Sequence, residues 1–467
     1  MERIRESYRK NKIQFYMIVA AAVFVSLPLC TDFVNTGRDL AASLAKIRAV
    51  GEGLFHVFPL RLGPLPKTTY GYSLSVFSAD VFYLFPGLLY RLGIGLQSVY
   101  KITLVCANLL TAFIAYRAFW GITEERDAAM ASTVLYVWCP CRIYSIYGAG
   151  NLNEVFAWSV LPVAVWGSIR LFVQKKRDTA VLLTVGYTLL LLAWPVYFFG
   201  AAGMFVLFFL LTLRDNLTKQ TLAVIVKFAL AFIGVNAWYL IPMMLRMRDA
   251  GAVAPLLTEH IREYAVYLTQ YVKIFAFGGD RVNVWERGLT AAEAVDPGIV
   301  VIAAVTFYLC SVFVDRQREK AIDRILIVAG ILMVLSSNLV PWDMLQNKNM
   351  LLSIVLAMLQ TPAKLAVPAD VLLISAMGLV LSRSSRLRGW MVCLGGFLTV
   401  QFQIGRLLTI RGFLRGEQLD ELSQVGYHVI EAESLFWRAA EGLSAVTVIG
   451  FLVYWCFFRH RGYEYEK

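Results

Sequence analysis

The chain reads as an all-α polytopic membrane protein, and three observations carry that reading. Of its 467 residues, 58% are hydrophobic and 16% are charged, whereas soluble domains carry roughly a quarter charged residues. The mean hydropathy is +0.62. The charges fall in short clusters, and the windows between them approach the roughly 20 apolar residues that a helix needs to cross a bilayer core. The net charge of +12 then reports which loops stay on the cytoplasmic side, and no nucleic-acid partner is read from it.

The first element follows from its flanks. "MERIRESYRKNK" precedes the apolar "FYMIVAAAVFVSLPLC", and no A-x-A-like cleavage signal follows it. This predicts a retained signal anchor with a cytoplasmic N-terminus. The later basic stretches are "QKKRD" (174–178), "RDNLTK" (214–219), "DRQREKAIDR" (315–324), "RSSRLR" (383–388) and "RHRGYEYEK" (459–467). About twelve spans keep all of them, and the C-terminus, cytoplasmic: 13–30, 101–119, 128–141, 155–173, 179–195, 197–213, 221–243, 298–314, 325–341, 365–382, 390–407 and 439–458. The apolar "SVFSADVFYLFPGLLYRLG" (75–93) is left over and is expected as a re-entrant or interfacial helix.

This topology makes residues 1–467 one membrane domain with no soluble module. It turns outward a first loop at 31–100, a second large loop at 244–297 and a third at 408–438, with smaller outer segments at 142–154 and around 342–364. The unusual polar residues gather there, so the working face is expected to be extracytoplasmic. Seven cysteines lie mostly inside apolar windows. "CPC" at 139–141 has a metal-like look but no second Cys/His cluster, and small buried hydrophobes are the plainer role.

On a helix, Asp39, Ser43 and Lys46 share a stripe about 60° wide, with Leu40, Leu44 and Ile47 beside it. That pattern suits a helix on the membrane surface. "FHVFPLRLGPLPKTTYGYS" (55–73) sets Arg61, Lys67 and Tyr70 in a turn-rich loop of Pro and Gly. "CRIYSIYGAGNLNE" (141–154) offers Arg142, Tyr144, Tyr147, Asn151, Asn153 and Glu154. The Arg and Tyr residues there fit an aromatic belt with snorkelling cations equally well. Glu154 opens a hydrophobic helix, either complementing its dipole or serving function at membrane depth. "LQTPAKLAVPAD" (359–370) breaks an apolar stretch at Pro362 and Pro368 around Lys364 and Asp370. It reads either as cavity-lining broken helix or as a Lys–Asp structural pair. Tyr264, Tyr267 and Tyr271 share a helical face in the second large loop and suit either sugar stacking or a belt.

Together these stretches resemble the 6-pyruvoyl-tetrahydropterin-synthase-related and YfhO-like bacterial membrane proteins of the GT-C superfamily of integral-membrane glycosyltransferases. The matching motifs are the acidic outer helix, "FPLRLGPLPKTTYGYSLSVFSADVFYLFPGLLYRLG", "CRIYSIYGAGNLNEVFAWSVLPV" and the late "LQTPAK". The family's outer-helix Asp is Asp39. Ser43 stands where a His is often found, and Lys46 where an Arg is. Arg61, Arg142 and Glu154 match, and a "QFPWR"-like motif is reduced to Gln360, Pro362 and Lys364.

The resemblance implies a GT-C-like fold and a lipid-linked donor, a polyprenyl-phosphate sugar whose tail runs among the helices. The acceptor is extracytoplasmic, and the setting is cell-envelope glycan or polymer assembly, with envelope-assembly proteins as further partners. No Rossmann or P-loop signature is present to bind nucleotide sugars. Under this reading Asp39 is the general base. Arg61, Arg142 and Lys364 stabilise the leaving phosphate. Glu154 orients the acceptor or helps hold a divalent cation. Ser43, Lys46, Tyr70, Tyr147 and Asn153 bind substrate, and His56 is a candidate for the missing imidazole. Two alternatives stay open: a catalytically inactive relative acting as an assembly or lipid-binding partner, and a lipid or polysaccharide transporter. The transporter calls for repeated halves and midplane polar residues.

Overall fold

The computed structural model describes residues 2–54, 62–64, 79–248, 261–272, 295–314, 318–346, 359, 361–383, 392–398, 400, 404, 412–424, 427–429 and 435–458. Arg61, Tyr70, His56 and Gln360, together with most of the 244–297 loop, lie outside these residues.

Helices dominate because the apolar windows have no other way to satisfy their backbone groups away from water. In chain order they are α1 (Glu2–Ser26), α2 (Leu40–Gly53), α3 (Leu84–Arg91), α4 (Leu96–Thr123), α5 (Arg126–Val137), α6 (Leu152–Phe172), α7 (Ala180–Ala193), α8 (Pro195–Leu211), α9 (Lys219–Arg248), α10 (Ile299–Val314), α11 (Lys320–Ser336), α12 (Ala366–Arg383) and α13 (Leu435–Phe458). Among the described residues, five stretches are long and apolar enough to cross a membrane: Lys12–Cys30, Leu96–Thr123, Leu152–Phe172, Lys219–Leu245 and Pro362–Arg383. Shorter apolar helices are Ala180–Ala193, Pro195–Leu211 and Ile299–Val314. The protein is thus a helical membrane protein. Helix α3 has eight residues, a rise of about 12 Å, so on its own it stops well short of a crossing.

Local signals set the helix ends. Glu125 caps α5, its carboxylate accepting from the amides of Asp127 and Ala128 at 3.1 and 2.6 Å. Pro195 opens α8 at the first helical position, where its missing N–H costs nothing. The bundle centres on α6, which packs on α4 and α7, with α5, α8 and α12 around them. Helices α9 and α13 pack on each other, and α9 also packs on α7.

The segments between the helices are stitched together rather than laid side by side. Strand β1 (Val34–Asn35) pairs antiparallel with β3 (Phe413–Leu414), and β2 (Leu62–Pro64) pairs antiparallel with β4 (Tyr427–Val429). Phe33 packs on Phe413 with ring centroids 4.3 Å apart. The segment around 412–429 therefore clasps the segment around 33–64.

Helix α2 corrects the expectation of a surface helix. Leu40, Leu44, Ile47 and Val50 are fully buried, but so are Ser43 and Lys46 on the expected polar stripe. The helix is inserted in protein, against α3 and the short helix Gly416–Leu422. The polar stripe has found internal partners instead of headgroups.

Candidate functional site

Two glycines decide where Asp39 sits. At Gly37 a Cβ would lie 2.4 Å from the Ala149 carbonyl oxygen, so only glycine lets the turn before α2 lie this close to the segment before α6. Gly150 adopts φ +68° after a π-helical turn at Tyr144–Ala149. The Asp39 amide then donates to the Ala149 carbonyl at 2.8 Å. In this way the start of α2 is fixed against the start of α6.

Asn151 ties the Asp39 carboxylate to the start of α6 across that seam. As the N-cap of α6, its Oδ1 accepts from the amides of Asn153 at 3.0 Å and Glu154 at 3.3 Å. Its Nδ2 donates to Asp39 Oδ2 at 3.2 Å. Arg38 donates from Nε and Nη2 to the two oxygens of Asp39 at 3.3 and 3.2 Å. The Asp39 side chain remains 29% exposed, while Glu154 keeps only 4%.

Glu154 is held from two other directions. Lys364 Nζ donates to Oε1 at 2.6 Å, and Ser145 Oγ donates to Oε2 at 2.9 Å. Lys364 also stands 5.9 Å from the Tyr197 ring centre. Its place is set by the 3-10 turn Pro362–Leu365, which enters α12 through Pro-broken backbone. The Lys–Asp pair considered from sequence does not form: Lys364 pairs with Glu154, and both oxygens of the fully buried Asp370 lack a hydrogen-bond partner among the described residues. Arg38 lies within electrostatic reach of Glu154 as well. The result is two acid–base pairs, Arg38–Asp39 and Lys364–Glu154, linked through the Asn151 side chain, which holds the Asp39 carboxylate and the Glu154 backbone amide.

Other expected site residues fall elsewhere. Arg142, expected at the outer boundary to receive phosphate, is fully buried. It donates to the Val137 carbonyl at 3.0 Å, to Thr111 Oγ1 at 3.3 Å and to Asn108 Oδ1. Asn108 in turn donates to Ser26 at 2.9 Å, and Thr111 meets Ser159 at 2.7 Å. This guanidinium ties α1, α4, α5 and α6 together.

Ser43 is likewise a tie. Its hydroxyl donates to the Gly150 carbonyl at 2.9 Å and accepts from the Leu152 amide at 3.1 Å. Lys46 pairs with Asp80 at 3.0 Å and lies 4.5 Å from the Tyr83 ring centre. Burial pulls its pKa below the ordinary lysine value, and Asp80 opposes that pull. Tyr147 is buried and donates to the Val25 carbonyl. Asn153 is half-buried beside Glu154. Of the tyrosine stripe, Tyr271 is buried against α11 through Ser336.

Arg38, Asn151 and Ser145 were not among the residues singled out for the site. A signal for Asn151 was present in "NLNE", the spacing of an N-cap followed by a glutamate three residues on. No local pattern marks the other two.

No family model and no curated protein matches the chain. Among solved structures it is similar to the cryo-EM structure of the arabinofuranosyltransferase AftD from Mycobacteria, at 14% identity and a TM-score of 0.40, over 84% of this chain and 26% of that one. It is also similar to the crystal structure of the Archaeoglobus fulgidus oligosaccharyltransferase in the apo form, at 12% identity and a TM-score of 0.46, over 94% of this chain and 64% of that one. The chain spans about a quarter of the first protein and less than two thirds of the second. The reading of the site rests on its own geometry.

Proposed function

We propose that the chain is a membrane glycosyltransferase that moves a sugar from a polyprenyl-phosphate donor to an extracytoplasmic acceptor in cell-envelope glycan or polymer assembly. Both termini are cytoplasmic in this reading, and the Asp39 face is outward. The observation that carries it is the gathering of Arg38, Asp39, Asn151, Glu154 and Lys364 from three distant parts of the chain. Asp39, the more accessible carboxylate, takes the proton of the acceptor hydroxyl, and Asn151 fixes its orientation. Glu154 positions the acceptor. Lys364 and Arg38 offset the charge that grows on the leaving phosphate, and Arg61 joins them from the first outer loop. Arg142 is left holding the scaffold. A divalent cation between the carboxylates is compatible with this chemistry but is not required by it.

The test is transfer from a supplied polyprenyl-phosphate-linked sugar by the purified full-length protein in vesicles. Asp39→Asn should abolish transfer while leaving thermal unfolding unchanged, and undiminished turnover removes Asp39 as the base. One observation favours the inactive-relative reading: Arg142 and Ser43 are both consumed by internal hydrogen bonds. That reading predicts no transfer by the wild type with any donor. The transporter reading predicts lipid movement that needs no acceptor.

A further inference from the structure

We propose that the end of α4 far from Asp39 carries a binding site for the phosphate headgroup of an anionic phospholipid, centred on Arg117. The site is independent of the transfer chemistry. It starts from a stripe on α4: Ile102, Cys106, Leu110, Phe113 and Arg117 follow one another at spacings of three or four residues, and all are exposed. The first four are apolar or nearly so, and the fifth is a cation. A face that meets acyl chains along its length thus ends on a guanidinium.

Depth supports the assignment. Gln97, in the first turn of α4, donates to the Asp32 carbonyl of the outer loop at 2.7 Å. Arg117 comes about 30 Å further along the helix at 1.5 Å per residue, the thickness of the hydrocarbon core. The guanidinium therefore sits at the headgroup level of the leaflet opposite Asp39.

The side chains around it are arranged for an anion. The Arg117 guanidinium lies between two indoles, 5.4 Å from the Trp120 ring centre and 5.1 Å from that of Trp166. Trp166 is seated flush because α4 has Gly121 at the contact, where a Cβ would lie 2.1 Å from the ring. Arg126, from the start of α5, stands 5.0 Å over the other indole, Trp120. Nearby carboxylates are already engaged. Asp178 pairs with Arg170 at 2.7 Å, Glu124 pairs with Lys176 at 2.8 Å, Asp127 accepts from Gln14 at 2.7 Å, and Glu125 caps α5. No carboxylate is within ion-pair distance of Arg117 among the described residues. Its N–H donors are left for a phosphate, and an indole pair at the interface gives that phosphate a fixed seat.

The occupant is a lipid rather than a free anion because the apolar stripe continues directly from the cation. A phospholipid satisfies both at once: its phosphate on Arg117, its chain over Phe113 and Leu110. Basic pockets between membrane helices bind anionic headgroups on this physical basis.

The experiment uses full-length protein in phosphatidylcholine vesicles into which acyl-brominated phosphatidylglycerol is titrated, with tryptophan fluorescence as the readout. Saturable quenching beyond that given by brominated phosphatidylcholine is expected. Arg117→Gln should weaken the apparent affinity about fivefold, and Arg117→Lys should weaken it less. Replacing both Trp120 and Trp166 by Phe should remove the saturable component while the other tryptophans still report shallow quenching. Equal quenching by both brominated lipids, or no change in Arg117→Gln, overturns the site. Displacement by inorganic phosphate alone overturns the lipid assignment in favour of a free anion.

Discussion

Lys364 and Glu154 show how a pair of residues 210 positions apart settles what neither says alone. From sequence, Lys364 had Asp370 as its nearest acidic neighbour, and Glu154 was an acid at a helix start. Neither pattern holds information about the other, because the contact is made where the turn that enters α12, packed on α8 and α11, reaches the start of α6. The partner was therefore hidden, although both residues stood out for lying in apolar surroundings. With side-chain exposures of 12% and 4%, breaking the pair strands a buried charge. Lys364→Met should cost about 3 kcal/mol, measured as chemical unfolding in one fixed detergent. Adding Glu154→Gln to it should recover most of that loss.

Asn151 allows the cap and the carboxylate contact to be separated at the same scale. Asn151→Ala removes both and should lower stability by about 1 kcal/mol and transfer by about 100-fold. Asn151→Asp keeps the cap, since aspartate caps equally well, but sets a second carboxylate against Asp39. Transfer should fall as far with stability nearly intact. Denaturation and transfer assays on the two variants check this, and equal stability losses would refute the separation.

Among elements, the long helices were legible because hydropathy is additive along the chain. The predicted 155–173, 221–243, 298–314 and 365–382 each have an observed helix within a few residues. Helix α2 was legible as a helix but not in its surroundings. Its polar stripe carries the same letters whether it faces headgroups or the Gly150 carbonyl and Asp80. The π-helical turn at Tyr144–Ala149 was not foreseen either, since one extra residue in a turn leaves no period to read. Such turns gather at functional sites, and here it ends on Gly150 in the left-handed region. Gly150→Ala should cost about 1–2 kcal/mol of stability. Gly37→Ala, which forces the Asp39 turn off Ala149, should reduce transfer more than it reduces stability. Unfolding midpoints and initial rates for the two variants distinguish these effects.

At the scale of the whole molecule, the pairing of β1 with β3 and of β2 with β4 makes the loop after α1 and the segment before α13 one unit. Strands of two or three residues carry no hydropathy signal, so no reading of the sequence alone joins Val34 to Leu414. The register makes those two residues direct partners. Cα separations in antiparallel pairs, about 4.5–5.5 Å, fall in the range a disulfide spans. A Val34→Cys, Leu414→Cys protein lacking Cys30 should cross-link under mild oxidation in intact membranes, giving a mobility shift after cleavage between the two positions. Absence of the link in protein that still folds would refute the clasp.

That clasp has a consequence for how the molecule is made. Some 380 residues separate Val34 from its partner Leu414, and ribosomes add about 5–20 residues per second. The loop that bears Asp39 must therefore wait on the order of 20–80 s after its own synthesis before the strand that secures it exists. During that interval its edges are open to chaperones and proteases. A chain interrupted anywhere before residue 412 would leave the membrane with helices inserted but that loop unsecured.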